Sequence, residues 1–247
     1  RAPSATAGRS SRSSKDPVIR RFLGKVFSGQ LFGPSQPKII AHGAHGVGRD
    51  AISSCALRTT QTLQRHGFAA FVVGGAVRDL LLGRRPKDFD IATDATPEEV
   101  RGLFRRSRVI GRRFRLVHVM CGPEMVEVST FRGSNPVEEE GERVADEHGR
   151  ILRDNVFGTQ EQDATRRDFT INALFFDPSS QEIWDYHGGV PDLLKRRLRM
   201  IGDPEKRYRE DPIRMLRAVR LASSRGLEID AATRRPIRRL AGLLAHV

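Results

Sequence analysis

An apolar run, Phe71 to Val73, ends at Gly74-Gly75 and is followed by Ala76-Val77-Arg78-Asp79-Leu80-Leu81-Leu82-Gly83, and then by Arg84-Arg85-Pro86-Lys87-Asp88-Phe89-Asp90-Ile91. Glycines after a strand allow the positive φ and close backbone approach that a phosphate needs, and the amides opening the next helix point towards an anion. Arg78, one turn into that helix, brings a guanidinium to the same phosphates. Asp88 and Asp90 stand two positions apart, so on an extended strand their side chains share a face. Such a pair suits Mg²⁺, which takes hard oxygen ligands and keeps some positions for water and substrate phosphates. Neither signal is specific alone, because Gly-Gly also marks tight turns and Asp-x-Asp also marks solvated ones. In this order and at this spacing they indicate a metal-dependent nucleotide site.

The elements around these residues read as an α+β fold. A helical pattern from Asp50 through Leu57 and Leu63 ends at His66-Gly67, with Gly in the usual C-terminal position, and Phe68 to Val73 reads as a buried strand. Thr96-Pro97-Glu98-Glu99 is a helix start: Thr caps, Pro takes the first helical position and Glu reaches back. That helix turns Val100, Leu103 and Phe104 inward. Two strands come next, near Leu116 to Cys121 and Met125 to Phe131, separated by a Gly122-Pro123 turn. Residues 51–187 therefore read as a small mixed sheet with flanking helices, and residues 188–247 as an all-α part. Val247 falls inside a helical pattern, so the all-α part is expected to be truncated.

Residues 1–50 read as a basic extension and linker. Arg1 to Lys15 is rich in Ser and Arg and almost free of acid, a composition that signals disorder and also fits a transit peptide. Val18 to Phe27 has the pattern of one short basic helix for RNA or membrane contact. Gln30 to Gly48 lacks periodicity, which leaves His42 and His45 solvated. The formal charge of +13 favours a polyanionic partner. No apolar segment approaches the ~20 residues needed to cross a bilayer. The two cysteines, Cys55 and Cys121, lack metal spacing and read as inert thiols of a reducing compartment.

The motif Gly74-Gly75-x-Val77-Arg78-Asp79-x-Leu81-Leu82-Gly83 with Asp88-x-Asp90 resembles the head of the class II nucleotidyltransferase superfamily, which holds the bacterial poly(A) polymerases and the CCA-adding tRNA nucleotidyltransferases. Further matches occur in the superfamily's order: Glu127-Val128-Ser129-Thr130-Phe131-Arg132, Arg166-Arg167-Asp168-Phe169-Thr170-Ile171-Asn172-Ala173, Tyr186-His187-Gly188-Gly189 with Asp192-Leu193, and Arg209-Glu210-Asp211-Pro212-Ile213-Arg214-Met215-Leu216-Arg217-Ala218. The resemblance spans about Thr59 to Val247. Val109 to Val119 is similar to the stretch that separates the poly(A) polymerases from their CCA-adding relatives, so the resemblance favours polyadenylation. CCA addition is the alternative, and an inactive RNA-binding module a more distant one.

The resemblance implies a nucleotidyltransferase head followed by a helical neck and body. It implies two Mg²⁺ ions held by Asp88 and Asp90, with Asp168 supporting catalysis and ATP and RNA 3′ ends as partners. Gly74, Gly75 and Arg78 would hold the triphosphate, and Arg132, Arg166, Arg167 and Asn172 belong to the nucleotide site. Glu210, Asp211, Arg214 and Arg217, on a helix starting at Asp211, would read the base. Glu127 is a third carboxylate that either completes the metal shell or acts on the attacking hydroxyl, and a strand-edge Glu paired to an Arg is the plainer reading. His118, amid alternating apolar residues, reads as a partly buried strand histidine. Lys195-Arg196-Arg197 reads as a solvated face or RNA-phosphate contact. A cytoplasmic, bacterial-type protein is implied, with organellar targeting by the Arg/Ser-rich N-terminus left open.

Asp88→Ala or Asp90→Ala is expected to abolish nucleotide addition while folded protein is still recovered, because each carboxylate contributes metal affinity and repels its neighbour when no metal is present. Primer extension together with circular dichroism checks this. Extension above about a few per cent of the unmutated protein's, or loss of soluble protein, would count against a metal site here.

Overall fold

The computed structural model describes residues 36–111, 115–133, 143–145, 151–154 and 156–246. The expected basic helix at 18–27 and the Arg112-Arg113-Phe114 tripeptide lie outside these residues. The described chain opens with β1 (Lys38–Ile40) and α1 (His42–His45), followed by α2 (Ser54–Arg65), β2 (Ala70–Val73), α3 (Gly75–Leu81), β3 (Asp90–Thr93) and α4 (Pro97–Leu103). Next come β4 (Ser107–Ile110), β5 (Leu116–Cys121), β6 (Glu124–Thr130), a separate hairpin of β7 (Arg143–Ala145) and β8 (Ile151–Asp154), and α5 (Gln160–Arg166). β9 (Leu174–Asp177), β10 (Glu182–Asp185), α6 (Gly189–Leu194), β11 (Arg197–Leu198), α7 (Pro204–Glu210), α8 (Ile213–Arg225), β12 (Glu228–Ile229) and α9 (Ala231–Leu240) complete it.

Eight strands form one sheet in the order β1-β10-β9-β2-β3-β6-β5-β4, antiparallel at every junction except β3 with β6. The sheet is larger than the small one expected, because β1, β4, β9 and β10 all join it. β2 is buried along its whole length. Period-two alternation sends Val72 to the face covered by α2, α3 and α4, and sends Phe71 and Val73 to the opposite face against Phe131, Ala164 and Phe175. Ser53 caps α2 by accepting from Ala56 N. Thr96 and Glu99 form the capping box that starts α4, with Pro97 in the first turn.

A second core lies among the later helices, where Phe169, Ile171, Tyr208, Met215, Leu221 and Leu240 pack together. The Tyr208 hydroxyl donates to the Thr233 carbonyl at 3.1 Å. This part is not wholly helical: β11 and β12 pair in parallel within it. The apolar run Phe169 to Phe176 joins the cores. Phe169 and Ile171 enter the helical core, Leu174 and Phe176 enter the core beneath α2, and Phe175 takes the opposite face of the sheet.

Two expectations require correction. Residues 36–50 are not a linker, because β1 pairs antiparallel with β10 and completes the sheet edge. His45 is therefore packed rather than solvated: its Nε2 sits 3.1 Å from the Gln181 carbonyl, its ring meets Phe176 edge-on, and burial pulls its pKa below the usual histidine value. Cys55 and Cys121 are not independent thiols. They form a disulfide between α2 and β5 with Cα atoms 5.6 Å apart, a proximity that their separation of 66 residues conceals.

Ile91 on β3 is fully buried between β2 and β6. Ile91→Ala is expected to remove about 3 kcal/mol of unfolding free energy, read from the denaturant midpoint at unchanged slope.

Candidate active site

The turn between β2 and α3 is local in origin. Gly74 takes φ 70° and ψ −126°, a conformation that only glycine adopts without strain. A side chain there would also approach Arg167 Nη1, 3.4 Å from the place a Cβ would occupy. The turn stands at the mouth of an open cavity of about 830 Å³ lined by residues from the sheet, α5 and α8. Such a volume accommodates a nucleotide with room to spare.

Most of the residues singled out in the sequence meet in this cavity. Gly74, Gly75, Arg78, Asp90, Glu127, Arg132, Arg166, Arg167, Asp168, Asn172, Asp211, Arg214 and Arg217 all line it. Asp88 and Glu210 do not. Asp88 lies exposed two residues before β3 begins, so the pair does not share one strand as expected; Asp90 alone is a strand residue. Glu127 lies beside Asp90 in the parallel register of β3 and β6, and His118 faces it from β5, with Nε2 at 3.2 Å from Oε1. Glu127 thus pairs with a half-buried strand histidine rather than with an arginine.

Asp90 reaches solvent, yet the cavity walls partly desolvate its carboxylate. That desolvation is the main cause raising its pKa, and the charges of Glu127 and Asp88 push the same way against Arg167. A carboxylate held in this way, with two further acidic side chains near it, suits a divalent cation with hard oxygen ligands. Among the described residues no three acidic, histidine or cysteine side chains converge as a complete metal cage. A cation here would draw remaining ligands from water and substrate phosphates.

Asp168 is buried and its oxygens are occupied. Oδ1 accepts from Phe169 N at 2.8 Å and Asn172 Nδ2 at 3.1 Å, and Oδ2 accepts from Arg217 Nε at 2.7 Å and Nη2 at 2.6 Å. This carboxylate orders Asn172 and Arg217. Asn172 in turn accepts from Arg78 Nη1 at 2.7 Å, so the guanidinium is held over Gly75.

The segment expected to read the base differs from a single helix starting at Asp211. α7 ends at Glu210, and the chain turns at Asp211-Pro212 before α8 begins at Ile213. Glu210 is consequently a support. Its Oε2 accepts from Arg207 Nη1 at 3.1 Å and from Arg214 Nη1 at 3.3 Å, while Arg214 also donates to the Arg207 carbonyl at 2.8 Å. Asp211 and Arg214 face the cavity from this braced corner.

Sequence reasoning missed several participants. Asp163 grips Arg167 through Nε at 3.1 Å and Nη2 at 2.8 Å, and the ring of Phe175 lies 5.1 Å beneath that guanidinium. Their i,i+4 spacing on a helix was the available signal. Arg207 donates to the carbonyls of Arg166 and Arg167, and burial followed by the charge of Arg214 lowers its pKa. Arg225 also lines the cavity, and nothing local to it announces the role.

Fold and cavity together define a nucleotidyltransferase head of mixed α/β architecture. Residues 70–199 match the family described as the poly A polymerase head domain, and the chain belongs to that family. It is 52% identical over 211 residues to poly(A) polymerase I of Salmonella typhi, covering 85% of this chain and 45% of the relative. It is 39% identical over 193 residues to the CCA-adding enzyme of Bacillus pumilus, covering 78% of this chain and 46% of that one. Among solved structures it is similar to the Bacillus stearothermophilus CCA-adding enzyme in complex with CTP, with TM-score 0.66 and 39% identity over 78% of this chain and 44% of the other. The chain spans less than half the length of these relatives.

The raised pKa of Asp90 means that its ionised form costs the folded state free energy, so the stabilising contribution is present at acid pH and lost as pH rises through the raised pKa. Asp90→Asn is expected to raise the melting temperature of the metal-free protein at neutral pH. The gain should vanish on the acid side of the carboxylate range. Thermal melts with a chelator across pH check both the sign and the pH dependence.

Proposed function

We propose that this chain is the catalytic head and base-reading neck of a poly(A) polymerase, transferring AMP from ATP to the 3′-hydroxyl of RNA without a template. In this reading residues 51–187, with β1 completing the sheet edge, form the head and residues 188–247 the neck. The observation that carries it is the meeting, in one cavity, of the Gly74-Gly75 turn, the Asp90 carboxylate and the braced Asp211-Arg214 corner. The greater identity to poly(A) polymerase I than to CCA-adding enzymes supports polyadenylation over CCA addition.

The 3′-oxygen attacks the α-phosphorus of ATP, the bond to the β-phosphate oxygen breaks, pyrophosphate leaves and the hydroxyl proton is lost. Gly74 and Gly75 bring backbone to the triphosphate, and Arg78 adds a guanidinium held by Asn172. Arg132, Arg166 and Arg167 face phosphates and sugar. Asp90, with the Asp88 and Glu127 charges near it, would hold Mg²⁺, which would supply activation of the hydroxyl and neutralisation of the departing pyrophosphate. Asp211 offers acceptors and Arg214 donors to the edge of the base, an arrangement suited to adenine. Arg217 enters the site held by Asp168. A hydrogen-bonded edge of this kind rejects a base that leaves the site's polar groups unpaired.

ATP as donor and RNA 3′ ends as acceptor belong to this reading, as does a cytoplasmic setting. Among the described residues no helix is long and apolar enough to cross a membrane.

The CCA-adding alternative is favoured by one observation, the likeness to a solved CCA-adding enzyme in complex with CTP. The two enzymes diverge after the first addition. A poly(A) polymerase accepts its own product and keeps selecting A, whereas a CCA-adding enzyme changes from C to A and stops. An unstructured RNA primer, Mg²⁺ and ATP alone are expected to give a ladder running well beyond a few additions, with little use of CTP. Growth only on tRNA lacking its end, halting after C, C and A, would replace the polyadenylation reading with CCA addition.

A further inference from the structure

Arg225 is the last residue of α8, followed by Gly226 in the left-handed region, and its guanidinium forks onto Asp79 of α3. Nε donates to Oδ1 and Nη2 to Oδ2, both at 2.9 Å. Asp79 is buried, and it also accepts from Arg78 Nε at 2.8 Å. Burial pushes the Asp79 carboxyl up, but the hydrogen bonds from Arg225 and Arg78 outweigh it and hold the pKa below the usual carboxylate range. The same corner is tied a second time, since Arg84 N donates to the Asp79 carbonyl at 2.8 Å and Arg84 Nη1 to the Ser224 carbonyl at 3.1 Å.

These bonds close a ring. From Arg225 the contacts pass to Asp79, to Arg78, to Asn172, to Asp168 and back to α8 at Arg217. Arg217 and Arg225 lie roughly 12 Å apart along the helix axis, so α8 is fastened at two separated points and cannot pivot about one. The fastening atoms belong to the network that aims Arg78 at the phosphate turn. The opposite end of α8 carries Arg214, braced by Glu210 and the Arg207 carbonyl, next to Asp211 at the turn that opens the helix.

We propose that the Asp79–Arg225 fork is a positioning clamp for nucleotide selection, setting where the Asp211-Arg214 edge lies relative to the phosphate cradle. It rests on the function proposed above. Neither residue touches the base in this scheme. A bidentate guanidinium fixes both distance and orientation, which a lysine at the same place would not. Loss of the clamp lets α8 tilt, and a tilted edge loses the geometry that distinguishes one base from another before it loses the phosphate contacts that bind every nucleotide.

The test uses the full chain of the protein, an unstructured RNA primer and Mg²⁺, with wild type, Arg225→Ala, Arg225→Lys and Asp79→Asn. Incorporation of ATP and CTP gives KM and kcat for each, and equilibrium binding of both nucleotides and thermal melting are measured on the same proteins. Arg225→Ala is expected to lower the ATP-to-CTP ratio of kcat/KM roughly tenfold, with a much smaller change in the binding of ATP itself. Asp79→Asn should act in the same direction, and Arg225→Lys should retain part of the selectivity by keeping the charge without the fork. Should Arg225→Ala not fold, Arg225→Lys and Asp79→Asn carry the decision. A folded variant with lowered melting temperature but wild-type selectivity would overturn the clamp, reducing it to a stabilising ion pair. Failure of the wild type to extend RNA with any nucleotide would instead overturn the function on which the clamp rests.

Discussion

A carboxylate buried without partners would be untenable, and Asp168 is buried. Its charge is compensated by Arg217, 49 residues further along the chain, so the fold must bring α8 against the Phe169–Asn172 segment. Breaking such a pair by removing one member is costly, because the survivor keeps its desolvation penalty. The same carboxylate caps Phe169 and orients Asn172. One acidic side chain therefore anchors the helical part, arranges the polar floor of the cavity and, through Asn172, holds Arg78 in place.

The hydrophobic counterpart of this anchor is the run directly after it. Phe169 to Phe176 distributes side chains among all three apolar clusters within a few residues. Polar and apolar contacts are thus interleaved at the same junction. A strand buried on both faces leaves no side for a polar residue, which is why the chemistry of the site is carried at the ends of β2 and β3 and on the turns beyond them.

Charge in the cavity divides into two groups. Arg78, Arg167, Arg217 and Arg225 are gripped by Asp79, Asp163 and Asp168 and have defined orientations. Asp90 has like charges nearby and its ionisation is disfavoured. Preorganised cations beside a crowded carboxylate are suited to the polyanion and metal of the proposed function, with the orientation cost met on folding. The overall charge of +13 acts at longer range and favours polyanions near the surface.

Local rules made part of this protein legible from its residues. Gly74 at a strand end, the Thr96-Glu99 capping box and the alternation in Phe71 to Val73 are each written within a few positions, because they depend on backbone geometry that neighbours in the chain control. The resemblance carried by the Arg166-Arg167-Asp168 and Glu210-Asp211 motifs named the residues that meet in the cavity, with Asp88 and Glu210 just outside it. What the tertiary structure decided are pairings with no local trace: β1 on β10, Cys55 with Cys121, Arg207 beneath the Arg166-Arg167 backbone, and Arg225 on Asp79 across 146 residues. An exposed arginine and a half-buried, forked one are the same letter in the sequence. Only the packing of α8 into the helical core, driven by apolar burial that any similar helix would share, determines which guanidinium meets which carboxylate.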